Sequence, residues 1–511
     1  MNSIFSWNTA DTPPPLAQAL ALLGGEYALA ADGSGDRHLN FRQNLKPGSL
    51  HIRSEPGGYR IEYGATSDAL RGVAQALAGR YIDETTCFQS LGIMLDCSRN
   101  AVMTVTHLKK WLRRLALLGY NMVMLYTEDT YELPGEPFFG HMRGAYTAAE
   151  IRELDQYAAS LGIELRACIQ TLAHLAQILK WQHYAPISDT PQIMLVDDSK
   201  TYNLIEKMIE FWSSNLHSSR IHIGMDEAHN LGRGKFLDHH SPEPQFDIFN
   251  RHLERVSRIC EKYALKPMIW SDMYFRMGSA RSDYYDRQSV IPDKVKNRIP
   301  ANVDLIYWDY YHEEREFYSE WISRHRALGH EPIVASGIWT WARFWYDHQQ
   351  TVKTATPCLE ACRREKVREL FFTMWGDGGS FCEFDSALAG LTWAADLAYG
   401  GKGADTDVAR IFQVVCGGDL AVQLIPCSLT IRLPQAGGDH PLLSPSTILW
   451  DDPLLGIGWQ SRLAHGNGFW KGILAQLRET YRQLQPVAGD AQVADLDYAA
   501  CLCRVLIGKL E

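Results

Sequence analysis

Two acidic residues stand side by side at the end of an apolar stretch, in the sequence His222-Ile-Gly224-Met-Asp226-Glu227. Like charges this close raise each other's pKa, and partial burial raises it further. One carboxyl could then stay protonated near neutral pH and act as a general acid, while the other remains an anion. The alternative is a solvated strand end with an ordinary acidic dipeptide, and the dipeptide alone does not decide between the two.

Tryptophans and carboxylates recur where other apolar stretches end. The eight ends are residues 96–99, 128–129, 170–174, 226–227, 270–272, 308–311, 339–341 and 375–377, and seven of them contain a carboxylate or a tryptophan. Turn formation accounts for aspartates at such places, but not for tryptophans repeatedly beside them. Aromatic faces cover the C–H surface of a sugar while carboxylates accept hydrogen bonds from its hydroxyls. The pattern therefore favours a site for a neutral polyol.

Eight apolar strands alternating with amphipathic helices must position these residues. The predicted strands are residues 91–96, 121–129, 163–170, 220–227, 266–273, 303–311, 332–339 and 370–376. Eight strand–helix units over about 310 residues are typical of an α/β fold of the (β/α)₈ TIM-barrel type, in which catalytic residues follow the strands. An open doubly wound sheet is the alternative, but the sequence has neither a GxGxxG nor a Walker A motif.

Two regions with different hydrophobic patterns flank the predicted barrel. Residues 1–87 combine a helical spacing with short strand-like stretches, which predicts a small non-catalytic α+β domain. The barrel takes residues 88–400. Residues 401–511 lack the strand pattern and contain long amphipathic stretches such as 467–485 and 495–511, which predicts a helical C-terminal domain.

Composition excludes several classes of function. The 511 residues carry 50 basic and 60 acidic side chains, a net charge of −10, which argues against a nucleic-acid or anionic-membrane binder. No stretch approaches the roughly 18 apolar residues of a membrane span, and the N-terminal segment lacks the features of a signal peptide. Eleven scattered cysteines without CxxC pairs suit reduced thiols. We therefore expect a cytoplasmic protein.

Several motifs together identify a family resemblance. His-x-Gly-x-Asp-Glu at the fourth strand, Asp96-Cys-Ser-Arg99 at the first and Trp375-Gly-Asp377 at the eighth resemble motifs of glycoside hydrolase family 20, the β-N-acetylhexosaminidases. The chain looks most like the short bacterial intracellular branch, which has a helical C-terminal domain. Its leading α+β unit is similar to the small non-catalytic domain of that family.

The resemblance implies an exo-acting, retaining hydrolase that needs no cofactor and no metal. Its substrates would be glycans or glycosides with a terminal β-linked N-acetylgalactosamine or N-acetylglucosamine. Glu227 would protonate the glycosidic oxygen and later activate water. Asp226 would hold the 2-acetamido N–H while the acetamido oxygen closes on C1 as an oxazolinium ion, a substrate-assisted exception to the two-carboxylate scheme. Sugars without the acetamido group should be poor substrates, because positioning of this internal nucleophile supplies much of the acceleration.

Supporting roles follow from the same resemblance. Asp129 and His174 fall where the family has an Asp–His pair that tunes the acid, although Thr171-Leu-Ala-His174 replaces the usual Pro-Gly-His. Arg99 would bind sugar hydroxyls. The residues expected to box the acetamido methyl and floor the pocket are Trp270, Trp308 and Trp375.

The remaining expected contacts depart further from the family pattern. The family tyrosine for the acetamido oxygen is absent near strand seven, where the sequence reads Gly337-Ile-Trp339-Thr-Trp341, so Tyr310 is our substitute and Trp339 joins the substrate-binding set. Asp309 is a candidate hydroxyl acceptor. Asp377 stands where glutamate is frequent, and this bears on the choice between glucosamine-type and galactosamine-type sugars.

Two other functions compete with this interpretation. A metal-dependent barrel hydrolase would use His174, His222, Asp226, His239 or His240 as ligands, but no HxH or HExxH pattern occurs. A non-catalytic sugar-binding barrel would lack a usable acid. The C-terminal helices could also pair two copies into a homodimer, although leucines on a helix more often pack within one chain.

Overall fold

The structure is a computed structural model. It describes residues 4–33, 35–99, 101–430, 449–450, 452, 456–487, 489 and 494–511.

The first 85 residues build a six-stranded sheet. Its strands are β1 (Phe5–Trp7), β2 (Leu29–Ala31), β3 (Arg37–Gln43), β4 (Ser49–Glu55), β5 (Gly58–Tyr63) and β6 (Asp83–Thr85), in the order β2-β1-β3-β5-β4-β6. Two helices accompany it, α1 (Pro14–Leu23) and α2 (Thr66–Leu77). Helix α2 packs so closely on the sheet that a Cβ at Gly72 would come within 2.7 Å of the Ile61 side chain. Arg71 forms a buried ion pair with Glu84 inside this unit, and its hydrogen bond to the Leu118 carbonyl joins the unit to the barrel.

Eight parallel strands close into a barrel. They are β7 (Ser90–Asp96), β8 (Met122–Tyr126), β9 (Glu164–Cys168), β12 (Arg220–His222), β13 (Lys266–Trp270), β14 (Asp304–Trp308), β15 (Ile333–Gly337) and β16 (Glu369–Met374). Strands β16 and β7 complete the closure. A short hairpin, β10 (Ser188–Thr190) with β11 (Ile193–Met194), lies in the segment after β9. The predicted (β/α)₈ barrel is confirmed.

Helices surround the barrel and fill the segments between its strands. They are α3 (Val105–Leu118), α4 (Ala148–Ser160), α5 (Ala176–Leu179), α6 (Ser199–Asn215), α7 (Phe236–His239), α8 (Gln245–Lys262), α9 (Asp272–Gly278), α10 (Asp293–Lys296), α11 (Arg315–Arg326), α12 (His348–Arg364) and α13 (Leu388–Ala398). Local signals set several ends. Thr147 and Glu150 form a capping box at the start of α4, and Gly119 ends α3 in the left-handed conformation.

The barrel interior is packed with side chains and forms the floor beneath the strand ends. Its buried cluster is rich in methionine and aromatic residues: Met94, Met122, Met124, Tyr126, Cys168, Met268, Trp270, Ile306, Ile333, Ala335 and Phe371. Trp308 and Trp375 pack on this cluster from above. Any site at this end of the barrel therefore has a closed floor.

The C-terminal region is helical. After α13 come α14 (Asp405–Cys416), α15 (Leu420–Leu424), a 3₁₀ turn (Ile425–Leu429), α16 (Ile457–Leu484) and α17 (Leu496–Leu510). Buried leucines such as Leu477, Leu484 and Leu506 belong to the main core. Residues 431–448, 451, 453–455, 488 and 490–493 of the predicted helical domain lie outside the described residues. Within the described part of the chain, no single helix is long and apolar enough to cross a membrane, while one bent pair, Thr406–Cys416 with Leu420–Leu429, meets that length and composition test.

Candidate active site

A pocket of about 210 Å³ opens at the carboxyl ends of the barrel strands. Its lining residues are Arg99, His174, Asp226, Glu227, Trp270, Trp308, Tyr310, Tyr311, Trp341, Trp375 and Asp377. Nine of these were candidates from the sequence. Tyr311 and Trp341 also line the pocket but were not predicted. The sequence pattern could have indicated them, because each stands at an aromatic strand end next to a predicted site residue.

The strand that carries the acidic pair ends earlier than predicted. Strand β12 stops at His222, and the chain then turns through left-handed conformations at Gly224 (φ 72°), Met225 (φ 75°) and Glu227 (φ 50°). A Cβ at Gly224 would lie 2.0 Å from Gln170 Oε1, so only glycine fits there. Non-glycine residues in this region carry strain of about 1–3 kcal/mol each and persist only when their surroundings hold them. The turn aims both carboxylates into the pocket.

His174 bridges the two carboxylates. Its Nε2 lies 3.2 Å from Asp226 Oδ2 and 3.5 Å from Glu227 Oε2. Burial lowers the pKa of His174, but the charge of Asp226 and the hydrogen bonds to both acids outweigh burial and raise this pKa well above its ordinary value. The imidazolium in turn lowers the pKa of Glu227 by hydrogen bonding. Burial alone would raise the pKa of Asp226, yet the contact with His174 makes the net shift downward.

The raised pKa of His174 and the lowered pKa values of both acids favour a proton on the imidazole in the ligand-free pocket. This direction is opposite to the expectation that mutual repulsion keeps one of the adjacent acids protonated. Repulsion is present, but a cation within hydrogen-bonding reach of both carboxylates outweighs it. Sequence reasoning treated His174 as a partner of Asp129 and so missed its contact with Asp226.

Two neutral side chains complete the contacts of the acidic pair. Gln170 is fully buried, and its Nε2 donates to Asp226 Oδ1 (2.9 Å) and to the Tyr126 hydroxyl (3.1 Å). The Tyr284 hydroxyl donates to Glu227 Oε1 over 3.3 Å. The sequence indicated Gln170 only weakly, as a polar residue at the end of a predicted strand. Nothing in the sequence indicated Tyr284, which lies in the segment after α9.

Arg99 joins three strand ends around the other side of the pocket. Its guanidinium lies 2.9 Å from Asp96, 3.4 Å from Asp377 and 3.8 Å from Glu128. The same group sits over the rings of Tyr126 (5.1 Å) and Trp375 (5.3 Å). Burial raises the pKa of Asp377 although Arg99 opposes the shift. A cation among several carboxylates offers both donors and acceptors to vicinal hydroxyls.

Stacked aromatic rings form one wall of the pocket. Trp308 and Tyr310 stack at 5.4 Å with an interplanar angle of 20°, and Tyr310 meets Trp341 edge-on at 5.3 Å. Trp375 packs against Trp270 at 6.0 Å. Such a wall can cover the apolar faces of a sugar.

Three expected site residues lie outside the pocket lining. Asp129 is 1% exposed and pairs with Arg143 Nε at 3.0 Å, so the expected pair with His174 does not form in the structure. Asp309 is buried and accepts hydrogen bonds from the Tyr311 amide and the Tyr307 hydroxyl. These bonds stabilise the loop after β14. Trp339 stacks behind Trp341 at 4.1 Å and supports the wall from outside.

The described residues contain no group of three or more His, Cys, Asp or Glu side chains that could hold a metal ion. His222, a ligand candidate of the metal-hydrolase alternative, is fully buried and accepts a hydrogen bond from the Gly224 amide at Nδ1. His239 ends the short helix α7 and is followed by His240, away from the strand ends.

Residues 88–322 match the sequence profile of the glycosyl hydrolase family 20 catalytic domain. This segment is therefore similar to the catalytic domains of family 20. The match includes the acidic pair and ends within α11, so the family 20 profile stops before β15 and β16. The more specific resemblance to a short bacterial intracellular branch stays a prediction.

Curated relatives and solved structures agree with this assignment. Hexosaminidase D of Bos taurus is 25% identical over 209 residues, which make up 38% of this chain and 55% of that protein. Hexosaminidase D of Homo sapiens is 23% identical over 236 residues, 44% of this chain and 46% of that protein. The chain thus spans about half the length of these curated relatives.

Two solved structures share the fold. Chitobiase from Flavobacterium johnsoniae superposes with a TM-score of 0.60 at 15% identity, over 99% of this chain and 88% of that one. The exo β-N-acetylglucosaminidase from Vibrio harveyi, in complex with N-acetylglucosamine, has a TM-score of 0.60 at 14% identity, over 82% and 74%. At this level of identity the likeness shows the fold.

Proposed function

We propose that the chain is an exo-acting, retaining β-N-acetylhexosaminidase that releases terminal β-linked N-acetylglucosamine, N-acetylgalactosamine or both. One observation carries the proposal: the Asp226–Glu227 pair, which lies in the segment that matches the family 20 catalytic domain, faces an aromatic-walled pocket with a packed floor. A closed floor supports exo-action, because a glycan chain can enter only with its terminal sugar.

The geometry supports a substrate-assisted first step. Gln170 and His174 hold the Asp226 carboxylate from two sides, so its free acceptor capacity is available to the substrate acetamido N–H. The acetamido oxygen then forms a bond to C1 while the bond from C1 to the glycosidic oxygen breaks. The leaving oxygen takes a proton from Glu227, which receives it from His174 3.5 Å away. Asp226 stabilises the positive charge of the oxazolinium ion.

Hydrolysis of this intermediate returns the site to its starting state. Glu227, now a carboxylate, removes a proton from water as the water oxygen bonds to C1 and the oxazolinium C1–O bond breaks. The sugar leaves with its original β configuration, and the proton returns to the Glu227–His174 pair. Arg99 and Asp377 act throughout as a grip on the sugar hydroxyls.

Initial rates on matched p-nitrophenyl β-glycosides test the proposal. The panel is N-acetylglucosamine, N-acetylgalactosamine and glucose, with EDTA present throughout. We expect release from at least one N-acetyl sugar and none from glucose, and the ratio between the two N-acetyl sugars gives the preferred epimer. Equal rates on glucose would remove the acetamido nucleophile from the mechanism, and loss of activity with EDTA would favour a metal hydrolase. Full activity of Glu227→Gln on an unactivated disaccharide would contradict the assignment of the acid.

We also propose a cytoplasmic location and no nucleic-acid or membrane partner. All eleven cysteines lie in the described part of the chain, where each is a free thiol, and most are buried. This pattern suits a reducing compartment, and the net charge of −10 disfavours polyanionic partners. The homodimer stays a prediction.

A further inference from the structure

A third carboxyl group lies behind the acidic pair. Asp272 is the first residue of α9, two positions after Trp270, and only 5% of it is exposed. It does not belong to the residues that line the pocket. Its Oδ2 accepts a hydrogen bond from the main-chain amide of Glu227 over 3.1 Å.

This bond acts on a strained residue of the turn that carries the acidic pair. Glu227 is a non-glycine residue in the left-handed conformation, a state that costs about 1–3 kcal/mol and needs external support. The N–H of Glu227 belongs to the peptide unit that Glu227 shares with Asp226. An acceptor that captures this N–H fixes the plane of that peptide unit, and with it the N–Cα bond from which the Glu227 side chain is set. Asp226 is held separately, by Gln170 and His174.

Asp272 is itself rigidly placed. The Ser271 amide and hydroxyl both donate to the Ile306 carbonyl of β14, over 3.0 and 2.7 Å. The Ser271 hydroxyl also lies 2.7 Å from His325 Nε2, a buried ring on α11. The acceptor is thus anchored to two elements of the barrel and can impose its geometry on the turn.

The electrostatic setting favours a neutral form of this third carboxyl. Burial raises the pKa of Asp272 well above its ordinary value, and the charges of Asp226 and Glu227 raise it further. A protonated acid still accepts an N–H through its carbonyl oxygen and adds no repulsion to the pair in front of it. Asparagine has nearly the same shape and the same acceptor, so it is the conservative substitute.

We propose that Asp272 is a positioning residue that acts through the main-chain amide of Glu227 to hold the acid on the leaving-group side of the pocket. This inference rests on the proposed function. It assigns Asp272 to the step in which the leaving oxygen takes its proton, and it leaves binding of the N-acetyl sugar to the residues that line the pocket.

Leaving-group dependence separates this role from a merely structural one. Asp272→Ala and Asp272→Asn are compared with the unsubstituted chain on an unactivated N-acetylhexosamine disaccharide and on the 2,4-dinitrophenyl glycoside of the same sugar, whose leaving group departs without an acid. A misplacement of about 1 Å costs about 100-fold. We expect Asp272→Ala to lose about that factor in kcat/KM on the disaccharide and less than about threefold in kcat/KM on the dinitrophenyl glycoside, because kcat/KM reports the step in which the leaving group departs and not the later hydrolysis. Asp272→Asn should restore kcat/KM on the disaccharide to within about threefold.

Asp68 supplies the matched control. It is also a buried aspartate that accepts main-chain amides, from Gly48 (2.9 Å) and Ala65 (2.8 Å), but it lies in the N-terminal sheet unit. Asp68→Ala should lower stability without changing the ratio of the two rates. If Asp272→Ala does not fold, Asp272→Ser, whose shorter side chain withdraws from the Glu227 amide, carries the same expectation.

Two outcomes would overturn the inference while leaving the proposed function intact. One is an equal loss of kcat/KM on both substrates in a folded Asp272→Ala variant. The other is an Asp272→Asn variant as impaired on the disaccharide as the alanine variant. Absence of hydrolysis of either substrate by the unsubstituted chain would instead overturn the proposed function, and the role of Asp272 with it.

Discussion

Replacement of His174 by asparagine should narrow the pH range of activity from its basic side. His174 has a left-handed backbone (φ 56°), which asparagine tolerates better than most residues. Its side-chain amide keeps a donor for the two carboxylates but cannot hold a titratable proton. The substitution therefore removes the proton reservoir of the site with little change to its shape.

The direction of the effect follows from where the proton lies. In the unsubstituted chain, the charge of Asp226 and the hydrogen bonds to both acids outweigh burial and raise the pKa of His174 well above its ordinary value, so the site keeps its proton to higher pH. In the variant the proton must lie on Glu227, a carboxyl whose ordinary pKa is 4.5. The basic limb of kcat/KM should therefore move to lower pH. A hydrogen bond to a charged group contributes about 1.5–3 kcal/mol, so we expect a loss of about 10- to 150-fold at about pH 7.

The assay is kcat/KM on a p-nitrophenyl N-acetylhexosaminide from about pH 4 to about pH 9. His107→Asn is the control. His107 lies on the outer helix α3, and its Nε2 also contacts an aspartate, Asp385, at 2.7 Å. It should leave the profile unchanged. A His174→Asn variant with the same loss at every pH and an unmoved basic limb would refute the assignment of the proton to His174.

Three further substitutions test other parts of the structure. Arg99→Lys keeps the charge but loses the forked contacts to three strand ends, so kcat/KM on the same glycosides should fall about 10- to 150-fold; unchanged rates would contradict its role as a sugar grip. Gly224→Ala places a Cβ 2.0 Å from Gln170 Oε1 and should cost about 1–3 kcal/mol in denaturant unfolding; an unchanged midpoint would show that the turn can relax. Glu383 follows β16, and burial raises its pKa from 4.5 to about 8. Because the folded state holds this proton more tightly, its contribution to stability falls as pH rises from about 4.5 to about 8, so the gain in melting temperature of Glu383→Gln should grow over that interval; a gain independent of pH would contradict the shift.

The location of the acidic pair and of most residues that line the pocket around it was predictable from the sequence. Each barrel strand is an apolar run of the right length, and chemistry in such a barrel sits where those runs end. The positions of Asp226, Arg99 and Trp375 follow from that rule alone. Tryptophan beside a carboxylate at successive ends then indicated a sugar site.

Partners of the side chains were not predictable in the same way. Asp129 and His174 follow neighbouring strands, yet they do not contact each other. Asp129 pairs with Arg143, and His174 contacts the acidic pair. Asp309 turns into its own loop rather than toward the pocket. These outcomes depend on the path of loops whose backbone angles the residue types leave open.

The sequence by itself thus determined the barrel, its order of strands and the residue types at its mouth, because strand periodicity and apolar burial are local properties. Only the tertiary structure decided that His174 contacts both acids, how Gln170 and Asp272 support the turn that carries them, and which tryptophans line the pocket. Hydrogen bonds and charge interactions act over about 3–4 Å between residues far apart in the chain. A pattern of residue types does not specify positions to that accuracy.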